Sequence, residues 1–522
     1  MKLSSLRTTV APVLAVAIVV VLVAALLMGC TAPGKVQSAV GSTPTATDSG
    51  PRSASGGGAP EGFETYYEQD LEWSDCGEAF QCATAQAPLS WDDPESEAIE
   101  LSLKRRSATG EKVGSLLVNP GGPGGSGVDF VEGAVKMFGE PLKKSFDVVG
   151  FDPRGVGSST QVRCFDDARK DESLSKDFGT SDEELAAAAD ELRAWGEACE
   201  ENTGELLGHV DTQSAARDMD MLRSVLGDKK LHYLGYSYGT QLGAVYAGLF
   251  PERAGRLVLD GGIDTTLTAD ETSAGQAVGF ENALRAYVKD CLAGDSCPLR
   301  GSVNDGMRQV RDILDTAYER PYKTSSDREV TQTLAFYGVA VTLYDEQNWS
   351  VLTQALDEVV NQGTGDVLLY LADYYNDRNN DGSFRTNSSE AFRAVNCLDS
   401  RGSEDIETMR EEAAKIERAA PTMGRFFGYG GLSCADWPYP VAEQEYDVHA
   451  KGAPPVLVVG TTNDPATPYV WSEGLAKTLD SGVLLTYEGE GHTAYGRSNE
   501  CIGDTVESYL IDGKVPEDGK TC

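Results

Sequence analysis

A mainly parallel β-sheet covered by helices and interrupted by a helical insertion, an α/β architecture, is what this sequence predicts. Three observations lead to it. Short β-branched and apolar runs bounded by Gly, Pro and Asp alternate with longer amphipathic stretches, the alternation of strands with crossover helices. The strand-like runs fall in two blocks, with a long stretch between them in which helix-like periodicity dominates. One run leads into Gly235-Tyr236-Ser237-Tyr238-Gly239, a sharp strand-to-helix punctuation.

Taken in order, the first block of predicted strands comprises Ile99 to Lys104, Ser115 to Val118, Phe146 to Phe151, Leu231 to Gly235 and Leu257 to Asp260. The second comprises Pro455 to Gly460 and Gly482 to Tyr487. Between Gly261 and about Ala450 the strand signal fades, and Glu281 to Leu292, Met307 to Tyr318, Trp349 to Val360 and Ile406 to Ala419 read as helices. A helical lid spliced between two halves of one sheet explains this better than a separate domain. The expected division is a first part of the core over 61–265, a lid over 266–445 and a second part of the core over 446–522.

Ahead of the core, Lys2 and Arg7 precede an apolar run from Ala11 to Met28, followed by Gly29 and Cys30. That is the layout of an export signal, here 1–29. Leu27-Met28-Gly29-Cys30 resembles the lipobox of bacterial lipoproteins, in which the signal is cut before the Cys and that Cys is lipidated. The competing reading is an uncleaved membrane helix, since the run just reaches spanning length. Residues 30–60 shift to Ser, Thr, Gly, Ala and Pro, too few large apolar side chains to pack, and read as a flexible tether. The expectation is a protein on the outer face of the cell membrane, held by lipid at Cys30.

Eighty-two acidic residues against 44 basic ones give a net charge of −38. Such a surface repels phosphate backbones and anionic head groups, so nucleic-acid binding is excluded as an expectation, and the acidity itself marks no site. Eleven cysteines less Cys30 leave an even set in an oxidising compartment. Sequence neighbours suggest Cys76 with Cys82, Cys164 with Cys199, Cys291 with Cys297, Cys397 with Cys434 and Cys501 with Cys522, although spacing alone does not fix connectivity. The tight C-x-x-C spacing of a metal site is absent.

The chemistry concentrates at Ser237. In G-x-S-x-G the Ser stands at a sharp turn where the residues two before and two after approach closely, so Gly is needed at 235 and 239. A Ser hydroxyl needs an imidazole to take its proton and a carboxylate to orient that imidazole. Of the four histidines, His209 and His232 precede the Ser and His449 lies on the wrong end of the Pro455 strand. His492, in Gly489-Glu490-Gly491-His492-Thr493 after the last strand, remains as general base. Asp260 and Asp464 are the candidate acids. Asp464 is preferred because it ends a later strand, whereas Asp260 in Asp260-Gly261-Gly262 reads equally well as a turn residue. Thr467 is a candidate cap for the next helix.

Backbone amides must meet the developing negative charge. One is expected from Tyr238, after the nucleophile, and one from Gly122 in the open loop Asn119-Pro120-Gly121-Gly122-Pro123-Gly124-Gly125-Ser126-Gly127. The same loop imitates a dinucleotide fingerprint, but Pro123 removes an amide and that reading leaves Ser237, Asp464 and His492 unexplained. Asp377 to Gly382 imitates the start of a calcium loop and lacks the closing Glu, with Ser388 in its place. Phe151-Asp152-Pro153-Arg154-Gly155 reads as a turn held by its own Asp and Arg. No cofactor or metal is expected.

Together, Asn119 to Gly127, Phe151 to Ser158, Gly235 to Gly239, Asp464 to Pro468 and Gly491-His492 resemble the bacterial secreted tripeptidyl aminopeptidases, relatives of the prolyl aminopeptidases within the α/β-hydrolase fold. The resemblance runs from about Tyr66 to Cys522. It implies Ser237 as nucleophile, Asp464 as orienting acid, His492 as base, a helical lid, and a carboxy-terminal block peculiar to the tripeptidyl enzymes. Prolyl aminopeptidases carry His-Gly-Gly-Pro-Gly in the oxyanion loop, and Pro120 here stands in the His place, which favours the tripeptidyl branch. That branch also includes envelope esterases and proteases. The implied substrates are peptides with a free amino end, for whose ammonium Asp399, beside Cys397, is the first candidate partner. A carboxylesterase or lipase with the same triad is the alternative, and a non-catalytic surface binding lipoprotein the remote one.

Overall fold

The computed structural model describes residues 58–522. The expected export signal, Cys30 and most of the tether lie outside the described residues. Ten strands form one sheet: β1 (Ser74–Gly77), β2 (Phe80–Pro88), β3 (Ala98–Arg106), β4 (Gly114–Asn119), β5 (Phe146–Phe151), β6 (Leu231–Tyr236), β7 (Ala254–Asp260), β8 (Val456–Asn463), β9 (Gly482–Glu490) and β10 (Lys520–Thr521). Their order is β1-β2-β3-β5-β4-β6-β7-β8-β9-β10, antiparallel as far as the β3–β5 pair and parallel from β5 onward. All seven predicted strands are present. The additional β1, β2 and β10 lie at the two edges.

The parallel centre follows from composition. In β4 and β5 every residue is buried, as expected of strands covered on both faces. Alternation then divides their side chains. Leu116, Val118, Val148, Leu234, Val258 and Leu457 pack with α1 (Gly127–Met137) and the carboxy-terminal helix Glu500–Asp512 on one face. Leu117, Val149, Tyr233, Leu257 and Val458 face the other core.

Between β5 and β6 the chain makes an excursion through α2 (Asp167–Leu174), α3 (Asp182–Thr203) and α4 (Thr212–Val225), then enters α5 (Tyr238–Leu249) after β6. Between β7 and β8 lies the insertion: α6 (Ala269–Ala293), α7 (Val303–Glu319), α8 (Gln332–Leu343), α9 (Trp349–Gln362), α10 (Asp366–Tyr375), α11 (Ser388–Asp399) and α12 (Ile406–Ala419). It has an apolar core of its own around Leu284, Val310, Leu334, Leu352 and Leu368. The four helices read from the sequence are there. The remaining helices α8, α10 and α11 are additional.

The insertion is latched to the excursion. Lys170 meets Glu390 at 2.6 Å with both side chains buried, Arg378 meets Asp171 at 2.8 Å, and Asp177 accepts the amides of Gln332 and Thr333 at the start of α8. Removing one partner of a buried pair such as Lys170–Glu390 leaves an uncompensated charge, at a cost of about 3–5 kcal/mol. All five suggested disulfides form. Among the described residues no helix is long and apolar enough to cross a membrane.

Candidate active site

Ser237 sits between β6 and α5 at φ 55° and ψ −123°, left-handed backbone that costs a non-glycine residue about 1–3 kcal/mol. The turn tolerates it because the residues two before and two after, Gly235 and Gly239, carry no side chain. A methyl group on Gly235 would stand 2.3 Å from the carbonyl oxygen of Gly239. The Ser237 amide donates to the Asp260 carbonyl at 2.9 Å, tying the elbow to the end of β7.

His492 follows β9 and reaches back over the sheet. Its Nδ1 stands 2.8 Å from Asp464 Oδ1 and 2.9 Å from Oδ2, and its side chain keeps 11% of its surface exposed. Asp464 is buried and saturated: it also accepts the amides of Ala466 and Thr467 at 2.9 Å and of Thr493 at 3.0 Å. Thr467 Oγ1 donates to it at 3.1 Å. Thr467 therefore does not cap the following helix Tyr469–Thr478, whose N-cap is Pro468 without a side-chain bond; the nearer carboxylate claims its hydroxyl. A methyl added to Gly261, next to the Ser237 anchor, would lie 3.3 Å from His492 Cε1. His492 and Asp464 are thus paired, and Gly261, next to the residue whose carbonyl anchors Ser237, lies against the imidazole.

Asp260 is not a turn residue satisfied by its own loop. Its carboxylate accepts the amides of Ala494 and Tyr495, at 2.7–3.1 Å, from the loop that carries His492. Burial pushes it up to about 6, against the pull of those amides. It braces the loop and does not contact the imidazole. Of the other histidines, His449 is exposed and bonds the Thr478 carbonyl, while burial pushes His232, at the opposite end of β6, down to about 4.

The glycine loop lies directly against the elbow. A methyl on Gly121 would come within 2.9 Å of Ser237 Cβ and 3.2 Å of the Tyr238 nitrogen. Among the described residues, neither the Gly122 nor the Tyr238 amide donates to a protein acceptor. The neighbouring Asp152 and Arg154 do not hold each other. Asp152 accepts from Ser126 Oγ and the Val128 amide at the start of α1, and Arg154 forms a bidentate pair with Asp218 of α4 at 2.7 Å. Asp152 also holds its own turn by accepting the Ser158 amide at 2.7 Å, whereas Arg154 is spent on Asp218, a buried partner distant in sequence.

The insertion supplies the roof. Tyr344, just after α8, accepts the His492 amide at 2.8 Å and sets its ring edge-on to the imidazole, centroids 5.4 Å apart. Sequence reading missed Tyr344, and no local signal marks it. Asp399, at the end of α11, accepts Thr212 Oγ1 at 2.6 Å and the Thr212 amide at 2.8 Å, and Gln241 reaches it at 3.3 Å. The Thr212 hydroxyl in turn meets the Tyr238 hydroxyl at 2.6 Å. Asp399 is half-buried, and desolvation pushes it up to about 7. No Lys or Arg forms an ion pair with it among the described residues. In the calcium-like turn, Asp377 is engaged by Arg385 and Thr386, and Asp381 by Ser383.

The family model described as TAP-like protein matches residues 420–522, the carboxy-terminal part of the chain that includes Asp464 and His492. The chain is 36% identical over 489 residues to serine protease Hip1 of Mycobacterium tuberculosis, covering 89% of this chain and 93% of that one. It is 34% identical to carboxylesterase B of the same organism, covering 85% and 86%, and 30% identical to tripeptidyl aminopeptidase of Streptomyces lividans, covering 87% and 86%. Full-length similarity of this order, on a sheet of this topology with a nucleophile elbow after β6, leads to one conclusion: the chain belongs to the TAP-like family of α/β-hydrolase fold serine hydrolases.

Proposed function

We propose that this protein is an exopeptidase that releases short peptides, tripeptides above all, from free amino ends, with Ser237, His492 and Asp464 as its triad. Ser237 Oγ attacks the scissile carbonyl carbon and its proton passes to His492 Nε2, while Asp464 holds Nδ1–H and stabilises the imidazolium. The amides of Gly122 and Tyr238 receive the oxyanion. The C–N bond breaks as His492 returns the proton to the leaving amine. Water, deprotonated by His492, then releases the peptide acid from Ser237.

The observation that carries the substrate class is Asp399: a half-buried carboxylate on the roof, linked through Thr212 to the residue after the nucleophile and unpaired with any cation among the described residues. A substrate ammonium would complete it by a charge-assisted hydrogen bond. The similarity to tripeptidyl aminopeptidase supports the same reading. A carboxylesterase is the second reading, favoured by the similarity to carboxylesterase B.

The test offers purified enzyme a tripeptidyl chromogenic amide with a free amine, its amino-acetylated twin and a short acyl ester. Cleavage of the free amine alone supports the aminopeptidase; ester turnover with neither amide cut overturns it. Export and lipid anchoring at Cys30 belong to the same proposal. Mass spectrometry of the mature amino end should find an acylated Cys30, and an intact Met1 would refute that.

A further inference from the structure

The roof holds a cation with no anion. Arg393, on α11, forms no ion pair among the described residues, and its buried Nη1 has no hydrogen-bond partner. Its guanidinium lies 4.6 Å from the centre of the Trp195 ring, an arrangement that leaves the edge of the fork free for a planar acceptor. The two acids whose charge reaches it are already taken. Glu390 is bound by Lys170 at 2.6 Å, and Glu191 by Arg169 at 2.7 Å and Lys176 at 2.8 Å. In a chain of net charge −38, this junction is short of negative charge. Natural structures rarely leave a buried donor of this kind unsatisfied.

The position of Arg393 connects it to the site. Ala391 and Phe392, beside it on α11, contact Gly124 of the glycine loop, where an added methyl would meet Ala391 Cβ at 3.2 Å. On its other side is Tyr337, which stacks on Tyr375 with centroids 4.9 Å apart. The Tyr375 side chain lies beside that of Tyr344, and the Tyr344 ring stands against His492. Surrounding protein pushes Tyr337 and Tyr344 up to about 12 and Arg393 down to about 10. All of them nevertheless keep accessible surface, 40% for Tyr375. The row Tyr344, Tyr375, Tyr337, Arg393 leads away from the imidazole, and each member keeps a face open to solvent.

We propose that Arg393 is a substrate-binding residue that takes a carboxylate of the peptide, so that the enzyme selects substrates carrying an anion at a fixed distance from the scissile bond. The carboxylate is either an acidic side chain or the free carboxy terminus of a short peptide; both present the same planar pair of oxygens to the guanidinium. This deepens the peptidase reading and rests on it.

The test measures binding and needs no turnover. The Ser237→Ala protein is titrated calorimetrically with free-amine pentapeptides in matched pairs: Glu against Gln at each position in turn, and free carboxy terminus against the amide. One pair is expected to differ about tenfold or more, roughly 1.4 kcal/mol. A Glu/Gln pair identifies a side chain, and the acid/amide pair identifies the terminus. Adding Arg393→Met should erase that difference. Arg393→Lys, which keeps the charge and loses the fork, should reduce it, and keeps the proposal testable if the Met variant fails to fold. Equal affinity within every pair, absence of peptide binding, or a preference that survives loss of Arg393 overturns the proposal. Failure of the peptidase reading shows separately, as ester turnover without peptide cleavage by the unmodified enzyme.

Discussion

On the floor of the cleft the acids are saturated. Asp464 accepts three amides, a hydroxyl and the imidazole, and Asp260 accepts two amides of the His492 loop. On the roof, Asp399 has hydroxyl and amide donors but no cation among the described residues, and Arg393 has an aromatic face but no anion. The floor holds its groups in one geometry, as proton transfer requires. In the proposed reading, the roof keeps charge in reserve for groups that arrive with a ligand. The two differ in origin as well: the floor is made by strand ends of the sheet, and the roof by helices of the insertion latched to the excursion between β5 and β6.

That contrast can be broken from either side. Replacing Ser237 by Ala should lower kcat by about 10⁶-fold and abolish labelling by a fluorophosphonate; a mutant that still labels would remove Ser237 from the floor. Asp464→Asn should cost about 10⁴-fold in kcat with KM little changed, because the imidazole loses its orienting acceptor. A matching loss in KM would show that the acid serves binding instead.

Lys170→Met tests the latch. Glu390 is left buried and unpaired, so chemical denaturation should register a loss of about 3–5 kcal/mol; an unchanged midpoint would mean the roof is held elsewhere. Asp260→Asn should fall between floor and roof, at about 10²-fold in kcat, because it shifts the loop of His492 without removing a proton acceptor. If it equals Asp464→Asn, the two acids have exchanged roles.

The smallest effect expected is on pH dependence. Asp399 is raised to about 7 from an ordinary 3.8, so in the free enzyme it is neutral below that pH and charged above it. Only the charged form attracts an ammonium. KM for a free-amine peptide should therefore rise as pH falls through 7, by at most about tenfold per pH unit, while KM of the acetylated twin stays level. Parallel profiles for the twins would separate Asp399 from the amine.

Much of the floor was legible in the sequence because local rules govern it. A strained Ser requires Gly235 and Gly239 wherever the elbow occurs, and with four histidines the order of triad members along the chain leaves one candidate base. The strands of the parallel centre announce themselves as continuous apolar runs. The edge strands do not: β1 is exposed throughout and β10 has two residues. Within the insertion, α8 was missed because it sits in the middle of that core and is apolar on most sides, which erases the amphipathic period.

The sequence by itself determined the fold class and the Gly-flanked elbow, and narrowed the candidate base to His492; it suggested the disulfide pairs by proximity without fixing them. Only the tertiary structure decided which side chains meet across long separations. It gave Arg154 to Asp218, Asp260 to the loop of His492, Asp399 to Thr212 and Tyr344 to His492. The physical reason is the range of the constraints. Backbone sterics and periodicity act within a few residues and leave a mark in the local sequence. A buried acid or arginine accepts any donor or acceptor that packing brings within about 3 Å, and that is set by strand register and helix docking.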